Sequence, residues 1–244
     1  MTTPAIEASG LTKRYGALTA VDHLNLRVER GELFSLLGVN GAGKTTTIRM
    51  LCCLTKPTEG DAALCGASIV REPMLVKEKI GVSPQETAVA ANLTAEENLR
   101  LLCGMHGLSH AETDERVRTL SERFHLEEVL HRRAGKLSGG WQRRLSIAMA
   151  LVSSPEILFL DEPTLGLDVI ARSELWDIIR AMKGHATIIL TTHYMEEAEA
   201  LSDRVGVMRD GHLLALGTPA ELKAQAGQEK FEDAFIAIVK GASK

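Results

Sequence analysis

The 244-residue chain has no long hydrophobic run and no excess of basic residues. Its apolar runs, such as residues 186–190, have the length of a strand and fall well short of the roughly 18 residues that a membrane helix needs. The formal net charge of -4 argues against a nucleic-acid-binding protein, because such proteins usually carry a basic surplus. Residues 1–10 lack a basic segment followed by an apolar one, so no signal peptide is expected.

The sequence also has little cysteine, and its cysteines show no redox or zinc spacing. The four are Cys52, Cys53, Cys65 and Cys103, with no C-x-x-C pair and no histidine at metal-like spacing. Free cysteine often behaves as a small buried hydrophobic residue. We therefore interpret all of them as reduced, structural thiols of a cytosolic protein.

What the sequence contains is an alternation of short apolar strands with helical segments. Leu33–Leu37 is a continuous apolar run, which is typical of a strand in a buried parallel sheet. Residues 205–208 and 213–216 flank an Asp210-Gly211 turn and predict a hairpin. Other strands are predicted at residues 6–9, 18–28, 61–64, 157–160 and 187–191, and helices at 45–54, 139–151, 171–182 and 194–201. The pattern predicts an α/β fold with a mostly parallel core sheet and an N-terminal antiparallel β region.

The middle of the chain lacks a clear strand signal and predicts a helical subdomain inserted into the α/β core. Apolar residues such as Leu99 and Leu102 recur there at helical spacing. We place this subdomain at about residues 88–154, within a main domain of residues 1–225. Residues 226–244 are predicted to form a short C-terminal helical tail.

A glycine-rich segment follows Leu33–Leu37 and matches the pattern G-x-x-x-x-G-K-[ST]. The segment and the residue after it are Gly38, Val39, Asn40, Gly41, Ala42, Gly43, Lys44, Thr45 and Thr46. Glycines let backbone N–H groups converge on phosphate oxygens, and a helix N-terminus adds partial positive charge. Lys44 is expected to offer an exposed charge to the β- and γ-phosphates, and the Thr45 hydroxyl to bind Mg²⁺. A chance glycine-rich turn is the alternative, but the strand–loop–helix context favours a P-loop NTPase that binds ATP.

A P-loop also needs a carboxylate near the Mg²⁺ ion. The sequence offers one at the end of the strand predicted at residues 157–160. Asp161 is predicted to hold Mg²⁺ through water, and Glu162 to polarise the attacking water. The alternative is a buried strand that ends in a solvated acidic pair. The presence of the P-loop favours the catalytic interpretation.

A third motif narrows the class of NTPase. The segment Leu137, Ser138, Gly139, Gly140, Trp141 and Gln142 resembles the LSGGQ signature of ABC ATPases. The order of the motifs is also similar to that family: P-loop, glutamine loop, signature, acidic strand and histidine. The resemblance extends over about residues 6–222, which is nearly the whole chain.

The resemblance implies roles for four further residues. Tyr15 would stack on adenine, Gln85 would sense Mg²⁺ and the γ-phosphate, Asp168 would lie in the dimer-contact D-loop, and His193 would be the switch histidine. Each has a plainer alternative: a loop aromatic, a solvated amide, a helix N-cap and a satisfied histidine, respectively. Asp168 is compatible with both roles at once.

The signature departs from the family at Trp141, where the family usually has glutamine. Ser138, Gly139 and Gly140 are intact, and they supply the hydroxyl and backbone donors at a helix N-terminus. Phosphate binding is therefore expected to survive the departure. Gln142 would lie about 100° further round the helix, so we do not expect it to replace the missing glutamine.

The resemblance also implies partners. Two copies would face each other head to tail, with ATP between the P-loop of one and the signature of the other. A separately encoded membrane-spanning permease would dock on the groove after Gln85 and on residues 88–133, which would place the chain on the cytoplasmic face of the membrane. No nucleic-acid partner is expected.

The direction of transport is expected to be export. Residues 164–168 and 191–199, together with the short C-terminal tail, resemble the bacterial drug, polysaccharide or lipid exporter branch. One alternative is a soluble ABC ATPase that serves cofactor assembly. Another is a DNA-repair type of ABC ATPase, which the short interval of residues 46–136 and the acidic charge disfavour.

Overall fold

A computed structural model describes residues 3–241, which form two β-sheets with helices packed around them. In chain order, the strands are β1 (Ile6–Tyr15), β2 (Leu18–Val28), β3 (Leu33–Leu37), β4 (Glu59–Leu64), β5 (Ala67–Ser68), β6 (Ile80–Ser83), β7 (Ile157–Asp161), β8 (Thr187–Thr192), β9 (Arg204–Arg209) and β10 (His212–Gly217). The helices are α1 (Lys44–Leu51), α2 (Pro73–Lys79), α3 (Ala95–Met105), α4 (His110–Phe124), α5 (Gly139–Ala150), α6 (Val169–Ala181), α7 (Met195–Leu201), α8 (Pro219–Ala226) and α9 (Phe231–Gly241).

The larger sheet has the strand order β10-β9-β3-β8-β7-β6, and its strands are parallel except for β10. The smaller sheet, β2-β1-β4-β5, is antiparallel. The α/β fold with a mostly parallel core and an antiparallel N-terminal region is therefore confirmed. Every residue of β3, β7 and β8 is buried, as the continuous apolar runs predicted.

The register of the parallel strands aligns the ends that carry the predicted motifs. Leu37 of β3 lies beside Thr192 of β8, and Asp161 of β7 lies beside Thr191. The glycine-rich segment, the acidic pair and His193 therefore all emerge at the carboxyl edge of one sheet. Ligands of open α/β sheets bind at this edge.

The helical insertion consists of α3, α4 and α5 with two short 3-10 turns between α4 and α5. Its apolar residues Leu99, Val117, Leu120 and Phe124 are buried in one cluster, which also contains Leu158 of β7. The helical periodicity of the sequence is thus confirmed as a packed face. This face joins the insertion to the parallel sheet.

The C-terminal helix α9 packs against the same sheet from another side. Phe231 and Phe235 are buried in a cluster with Leu37, Val205 and Val207. The division between a domain of residues 1–225 and a tail of 226–244 stays a prediction. Residues 1–2 and 242–244, at the ends of those two ranges, lie outside the described part of the chain.

Several elements differ from the sequence-based expectation. Strand β1 continues past Gly10 to Tyr15 because register shifts against β2 absorb the glycine, whereas the sequence predicted a strand end there. Helix α1 ends at Leu51, before Cys53, which has a φ of 56°. Strand β6 was not predicted, because four residues that include Gly81 are too short for a clear pattern.

The four cysteines and the length of the helices bear on two further expectations from the sequence. Each of the four cysteines is a free thiol, and burial raises the pKa of each, which suits a structural role. No helix within residues 3–241 is long and apolar enough to cross a membrane.

Candidate functional site

The glycine-rich loop between β3 and α1 is shaped by close backbone contacts. A Cβ at Gly38 would lie 2.4 Å from the carbonyl oxygen of Met208, and one at Gly43 would lie 2.5 Å from that of Ala20. Gly43 also has a φ of 102°, which side chains of L-residues rarely adopt. Glycine is therefore required at both positions, and the loop is held against β2 and β9 before any ligand arrives.

Lys44 does not project into solvent, so the expectation of an exposed charge was wrong. Its side chain is 5% exposed, and Nζ donates hydrogen bonds to the carbonyl oxygens of Gly38 at 2.7 Å and Val39 at 3.2 Å. Burial lowers the pKa of Lys44, while the nearby Glu162 and Asp161 oppose that shift. The Lys44 ammonium group is therefore buried within the glycine-rich loop, where it is predicted to bind phosphate.

The hydroxyl of Thr45 reaches the first carboxylate of the acidic pair. Its Oγ1 lies 3.3 Å from Oδ1 of Asp161, and the Thr191 hydroxyl donates to the same oxygen. Asp161 is buried, whereas Thr45 is exposed to the cavity. Residues 3–241 contain no cluster of three or more His, Cys, Asp or Glu side chains that would hold a metal by themselves. The donors suit Mg²⁺, because this ion usually takes one or two protein oxygens together with water and phosphate.

Glu162 and His193 face each other at the ends of β7 and β8. Glu162 has a φ of 47°, and its backbone N–H donates to both the carbonyl and hydroxyl oxygens of Thr191 at 3.1 Å. Its Oε1 lies 3.7 Å from Lys44 Nζ, and its Oε2 lies 3.3 Å from His193 Nδ1. The geometry of the latter contact is not that of a hydrogen bond, and the buried Nδ1 makes none with any described residue. The His193 side chain as a whole is partly exposed and lines the cavity described next.

These residues surround a cavity of about 650 Å³, which we call the nucleotide cavity. Its lining consists of Tyr15, Leu18, Thr19, Ala20, Asn40, Gly41, Ala42, Gly43, Lys44, Thr45, Thr46, Gln85, Glu162, Leu165, His193 and Asp210. The structure thus brings Tyr15, Gln85 and His193 to the glycine-rich loop, although they are distant in sequence. Gly38 and Asp161 lie behind the lining. Tyr15 is 47% exposed, and Lys13 Nζ lies 5.0 Å from the centre of its ring.

Some residues around this cavity were missed by sequence reasoning. Leu18 and Asp210 belong to the lining because β2 contacts α1 and β10, and because the N–H of Gly211 in the β9–β10 turn donates to the carbonyl oxygen of Ala42 in the glycine-rich loop. Arg143 of α5 is buried, and it donates to the carbonyl oxygens of Pro84 at 2.7 Å and Gln85 at 2.5 Å. Burial lowers the pKa of Arg143. Asp210 was visible as a turn residue, but no sequence signal predicted that Arg143 would hold the Gln85 loop.

The signature residues lie elsewhere. Ser138 and Gly140 line a second cavity of about 800 Å³, which we call the signature cavity, and no described residue lines both this and the nucleotide cavity. Ser138 precedes α5 as its N-cap, yet its side chain makes no capping hydrogen bond within residues 3–241. A Cβ at Gly140 would lie 3.3 Å from Cβ of Ala171, so α5 and α6 approach closely there.

The residues after the signature glycines have partners of their own. The guanidinium carbon of Arg144 lies 4.8 Å from the centre of the Trp141 ring, and Arg144 also forms an ion pair with Glu174. Gln142 Nε2 donates to the carbonyl oxygens of Ala134 and Leu137, both at 3.1 Å. The Gln142 side chain is therefore engaged with its own chain, and the expectation that it does not replace the usual glutamine stays a prediction.

Asp168 caps α6, as its plainer interpretation predicted. Its Oδ1 accepts a hydrogen bond from the N–H of Ala171 at 2.9 Å. The next two residues, Val169 and Ile170, are 79% and 71% exposed. Two apolar side chains thus extend into solvent at the start of α6, close to α5.

Comparison with known proteins defines the class to which this fold and site belong. A family model described as "ABC transporter" matches residues 21–165. The daunorubicin/doxorubicin resistance ATP-binding protein DrrA of Streptomyces peucetius is 44% identical over 226 residues, which cover 92% of this chain and 68% of DrrA. The chain belongs to the ABC transporter family, as one of its ATP-binding proteins.

A second relative is longer than this chain. The probable multidrug ABC transporter ATP-binding protein YbhF of Escherichia coli is 42% identical over 241 residues, which cover 96% of this chain but 41% of YbhF. The chain therefore spans about two fifths of the length of that relative.

Solved structures agree with the family assignment. The structure of an ATP binding subunit of an ABC transporter matches with a TM-score of 0.86 and 30% identity, over 97% of this chain and 100% of that one. A dimeric structure of a bacterial ABC transporter cassette matches with a TM-score of 0.79 and 27% identity, over 87% and 98% of the two chains.

Proposed function

We propose that this chain binds and hydrolyses Mg-ATP, and that hydrolysis powers export through a separate membrane-spanning subunit. One observation carries the proposal. Lys44, Glu162 and His193 converge on one cavity at the carboxyl edge of the parallel sheet, although they come from three different strand ends.

The triphosphate would occupy the glycine-rich loop. Backbone N–H groups of the loop and the N-terminus of α1 favour phosphate oxygens, with residues 38–46 as the cradle. Lys44 would exchange its two loop carbonyls for the β- and γ-phosphates, which would also relieve the cost of its burial. The partly exposed ring of Tyr15, at the open end of the cavity, would stack on adenine.

The metal-side residues would be Thr45, Asp161 and Gln85. A Mg²⁺ ion at this position would neutralise charge on the phosphates. Thr45 would offer its hydroxyl, and Asp161 its carboxylate through water. Gln85 would place its amide oxygen at the same edge, because Arg143 fixes the backbone of the Gln85 loop.

Glu162 would orient and polarise the attacking water. Its carboxylate lies between Lys44 and His193, so a water bound to it would stand next to the γ-phosphate. His193 would use its unpartnered Nδ1, or the opposite ring nitrogen, to hold a γ-phosphate oxygen. These two residues would act on the chemical step, whereas the loop residues would act on binding.

Assembly of two copies would complete the site. Ser138 and Gly140 line a cavity separate from the nucleotide cavity, so the signature Ser138, Gly139 and Gly140 would serve a nucleotide bound by a second copy. The exposed Val169 and Ile170, with Asp168 before them, would lie in the contact between the copies. The dimeric cassette described above supports this arrangement.

Export is supported by the names of the relatives, which refer to multidrug transport and to drug resistance. The energy would reach the cargo through a membrane-spanning permease docked near the Gln85 loop and the helical insertion. The chain would thus be held at the cytoplasmic face of a membrane. None of the described helices would have to enter the bilayer for this arrangement.

The proposal is tested in two stages. Phosphate release by the purified chain should require ATP and Mg²⁺ and should stop on addition of EDTA; a folded chain without measurable ATP affinity would contradict the first stage.

The second stage tests transport. The chain should be co-expressed with the membrane protein encoded beside it and reconstituted in vesicles. ATP-dependent accumulation of drug, with a Glu162→Gln control, would support export. A chain that co-purifies with soluble assembly proteins and stays off the membrane would contradict it.

A further inference from the structure

A completely buried carboxylate lies behind the proposed catalytic residues. Glu197 of α7 is 0% exposed, and its Oε1 accepts hydrogen bonds from the Thr164 hydroxyl at 2.8 Å and from Trp176 Nε1 at 3.1 Å. Its Oε2 makes no hydrogen bond with a described residue, and burial raises the pKa of Glu197, although the hydroxyls of Thr192 and Thr164 oppose that shift. Such a group is costly to bury, so its position calls for an explanation.

Glu197 connects the three segments that follow β7 and β8. Thr164 lies two residues after Glu162, Trp176 lies on α6, and Glu197 itself lies four residues after His193. One carboxylate oxygen thus ties the segment that carries Glu162 to the helix that follows His193. Glu162 and His193 are not hydrogen-bonded to each other.

The turn that carries Glu162 is anchored to β8 at its first residue by Thr191, and the Thr164–Glu197 hydrogen bond anchors it two residues later. Glu162 has a left-handed φ of 47°, which a non-glycine residue adopts at a cost. The Thr164 side chain is buried behind it, and the Thr164 carbonyl oxygen accepts a hydrogen bond from the N–H of Leu167 at 3.2 Å. Loss of the Thr164–Glu197 hydrogen bond would therefore free the turn at the point where it bends.

We infer that Glu197 is a positioning residue, which fixes Glu162 relative to His193 through its hydrogen bond with Thr164. The inference rests on the proposed function of Glu162 and His193. Glu197 touches neither nucleotide nor attacking water, since it does not line the nucleotide cavity. Its effect belongs to the geometry of the reacting groups, so it should appear in kcat and not in the KM for ATP.

The two donors to Glu197 Oε1 provide a matched comparison. Thr164→Val and Trp176→Phe each delete one hydrogen bond to the same oxygen. Valine keeps the shape of threonine, whereas phenylalanine is smaller than the Trp176 indole, which packs against the core. Thr164 lies two residues after Glu162 in the chain, whereas Trp176 lies on α6. A purely structural role of Glu197 predicts a loss of thermal stability in both variants, larger in Trp176→Phe, and no selective loss of kcat in either.

The experiment measures kcat, KM and Tm for both variants and for Thr164→Ser, which keeps the hydroxyl. We expect Thr164→Val to lower kcat roughly tenfold with KM unchanged, Trp176→Phe to keep kcat within about twofold, and Thr164→Ser to restore most of the rate. Equal kcat values for Thr164→Val and Trp176→Phe, measured well below the Tm of both variants, would overturn the inference.

A variant of Glu197 itself gives a second measurement. Glu197→Gln keeps an amide oxygen for both donors, so it should retain kcat within about threefold, whereas Glu197→Ala should lower kcat by more than roughly tenfold. If Glu197→Gln falls as far as Glu197→Ala, hydrogen bonding to Thr164 is not the cause and the inference fails. If instead Glu162→Gln retains full activity, the proposed function fails first, and the two failures are distinguished.

Discussion

The N-terminus of α5 differs from those of four other helices in how it uses its capping side chain. Thr94, Ser109 and Thr218 form capping boxes at α3, α4 and α8, and Asp168 caps α6. Ser138 occupies the same position at α5 and bonds to none of the described residues in this way. Among the α-helices of residues 3–241 that follow a Ser, Thr or Asp, α5 is the one with an unused N-cap side chain. Its hydroxyl and first N–H groups are therefore available to a ligand.

The glycine-rich loop at α1 also lacks a capping side chain, but it is organised differently. Its N-cap is Gly43, and Lys44 folds back onto the loop carbonyls, so the loop is held by its own chain. At the signature end of α5, Gln142 also donates to two carbonyls of its own chain, but the Ser138 hydroxyl makes no capping bond with a described residue. The unused Ser138 hydroxyl suits the proposal that the helix end at α1 binds phosphate within one chain, whereas the helix end at α5 serves a nucleotide held by a second copy. Changes at the two ends should therefore have separable effects.

The largest effect is expected at the end that is formed internally. Lys44→Ala should weaken ATP binding about a thousandfold, since removing one partner of a buried charged contact costs about 2–5 kcal/mol. Titration calorimetry on the purified monomer measures this. The fold should survive, although Tm should drop slightly because two loop hydrogen bonds are lost. Near-normal affinity in a folded variant would remove Lys44 from the nucleotide site.

The second effect concerns assembly. Glu162→Gln should slow hydrolysis by about 300-fold, because a positioned general base is lost, and should accumulate an ATP-bound dimer. Light scattering after size exclusion, with ATP and with ADP, gives the mass. Loss of one negative charge beside the phosphates favours closure further.

The control adds Ser138→Arg, which places a bulky side chain at the outer helix end. The double variant should stay monomeric with unchanged monomer affinity for ATP. A Glu162→Gln chain that dimerises equally well without nucleotide would contradict the two-copy site. One that stays monomeric in saturating Mg-ATP would remove Glu162 from catalysis or make the permease necessary for closure.

A smaller effect is expected at His193, between the two ends. His193→Ala should lower kcat roughly a hundredfold, because one preorganised donor to the γ-phosphate is lost. Binding should remain, since Lys44 and the loop are untouched. Steady-state phosphate release and an ATP-binding curve, measured on the same variant, separate the effect on hydrolysis from the effect on binding. Unchanged turnover would leave His193 as an ordinary residue at a strand end.

Most residues of the glycine-rich loop and of the neighbouring strand end could be predicted from the sequence, because residues that are close in the chain determine their geometry. A buried strand, a glycine loop and a helix must place Gly43, Lys44 and Thr45 together. The end of β7 follows a similar rule, which gave Asp161 and Glu162. The exposure of Lys44 was predicted wrongly, because the carbonyls that hold it become neighbours only when the loop closes on itself.

Contacts between distant elements were not predictable. Arg143 reaches the Gln85 loop, and Glu197 reaches Thr164, only because α5 packs on β6 and α7 packs beside α6. A buried arginine and a buried glutamate look like ordinary helix-surface charges in the sequence. Strand β1 was predicted too short for a related reason, since its continuation past Gly10 depends on pairing with β2. Contacts between residues that are distant in sequence determine these features, and the periodicity of the sequence does not predict such contacts.

The smallest expected effect tests the comparison of helix ends most directly. Thr94→Ala should destabilise the fold by about 1 kcal/mol, because its side chain accepts from the Glu97 N–H and completes a capping box. Ser138→Ala should cost clearly less, since the Ser138 hydroxyl makes no capping bond. Denaturant unfolding of both variants without nucleotide measures the difference.

The same two variants should exchange their order when assembly is measured. In the Glu162→Gln background, Ser138→Ala should weaken the ATP-dependent dimer by about 1 kcal/mol per site, the usual net value of a hydrogen bond, whereas Thr94→Ala should leave dimerisation unchanged. Thr94 is a fair control because it caps a helix of the same insertion. If Ser138→Ala destabilises the monomer as much as Thr94→Ala does, its hydroxyl is an ordinary cap in solution. If it also leaves the dimer unaffected, the outer helix end binds phosphate through backbone N–H groups alone.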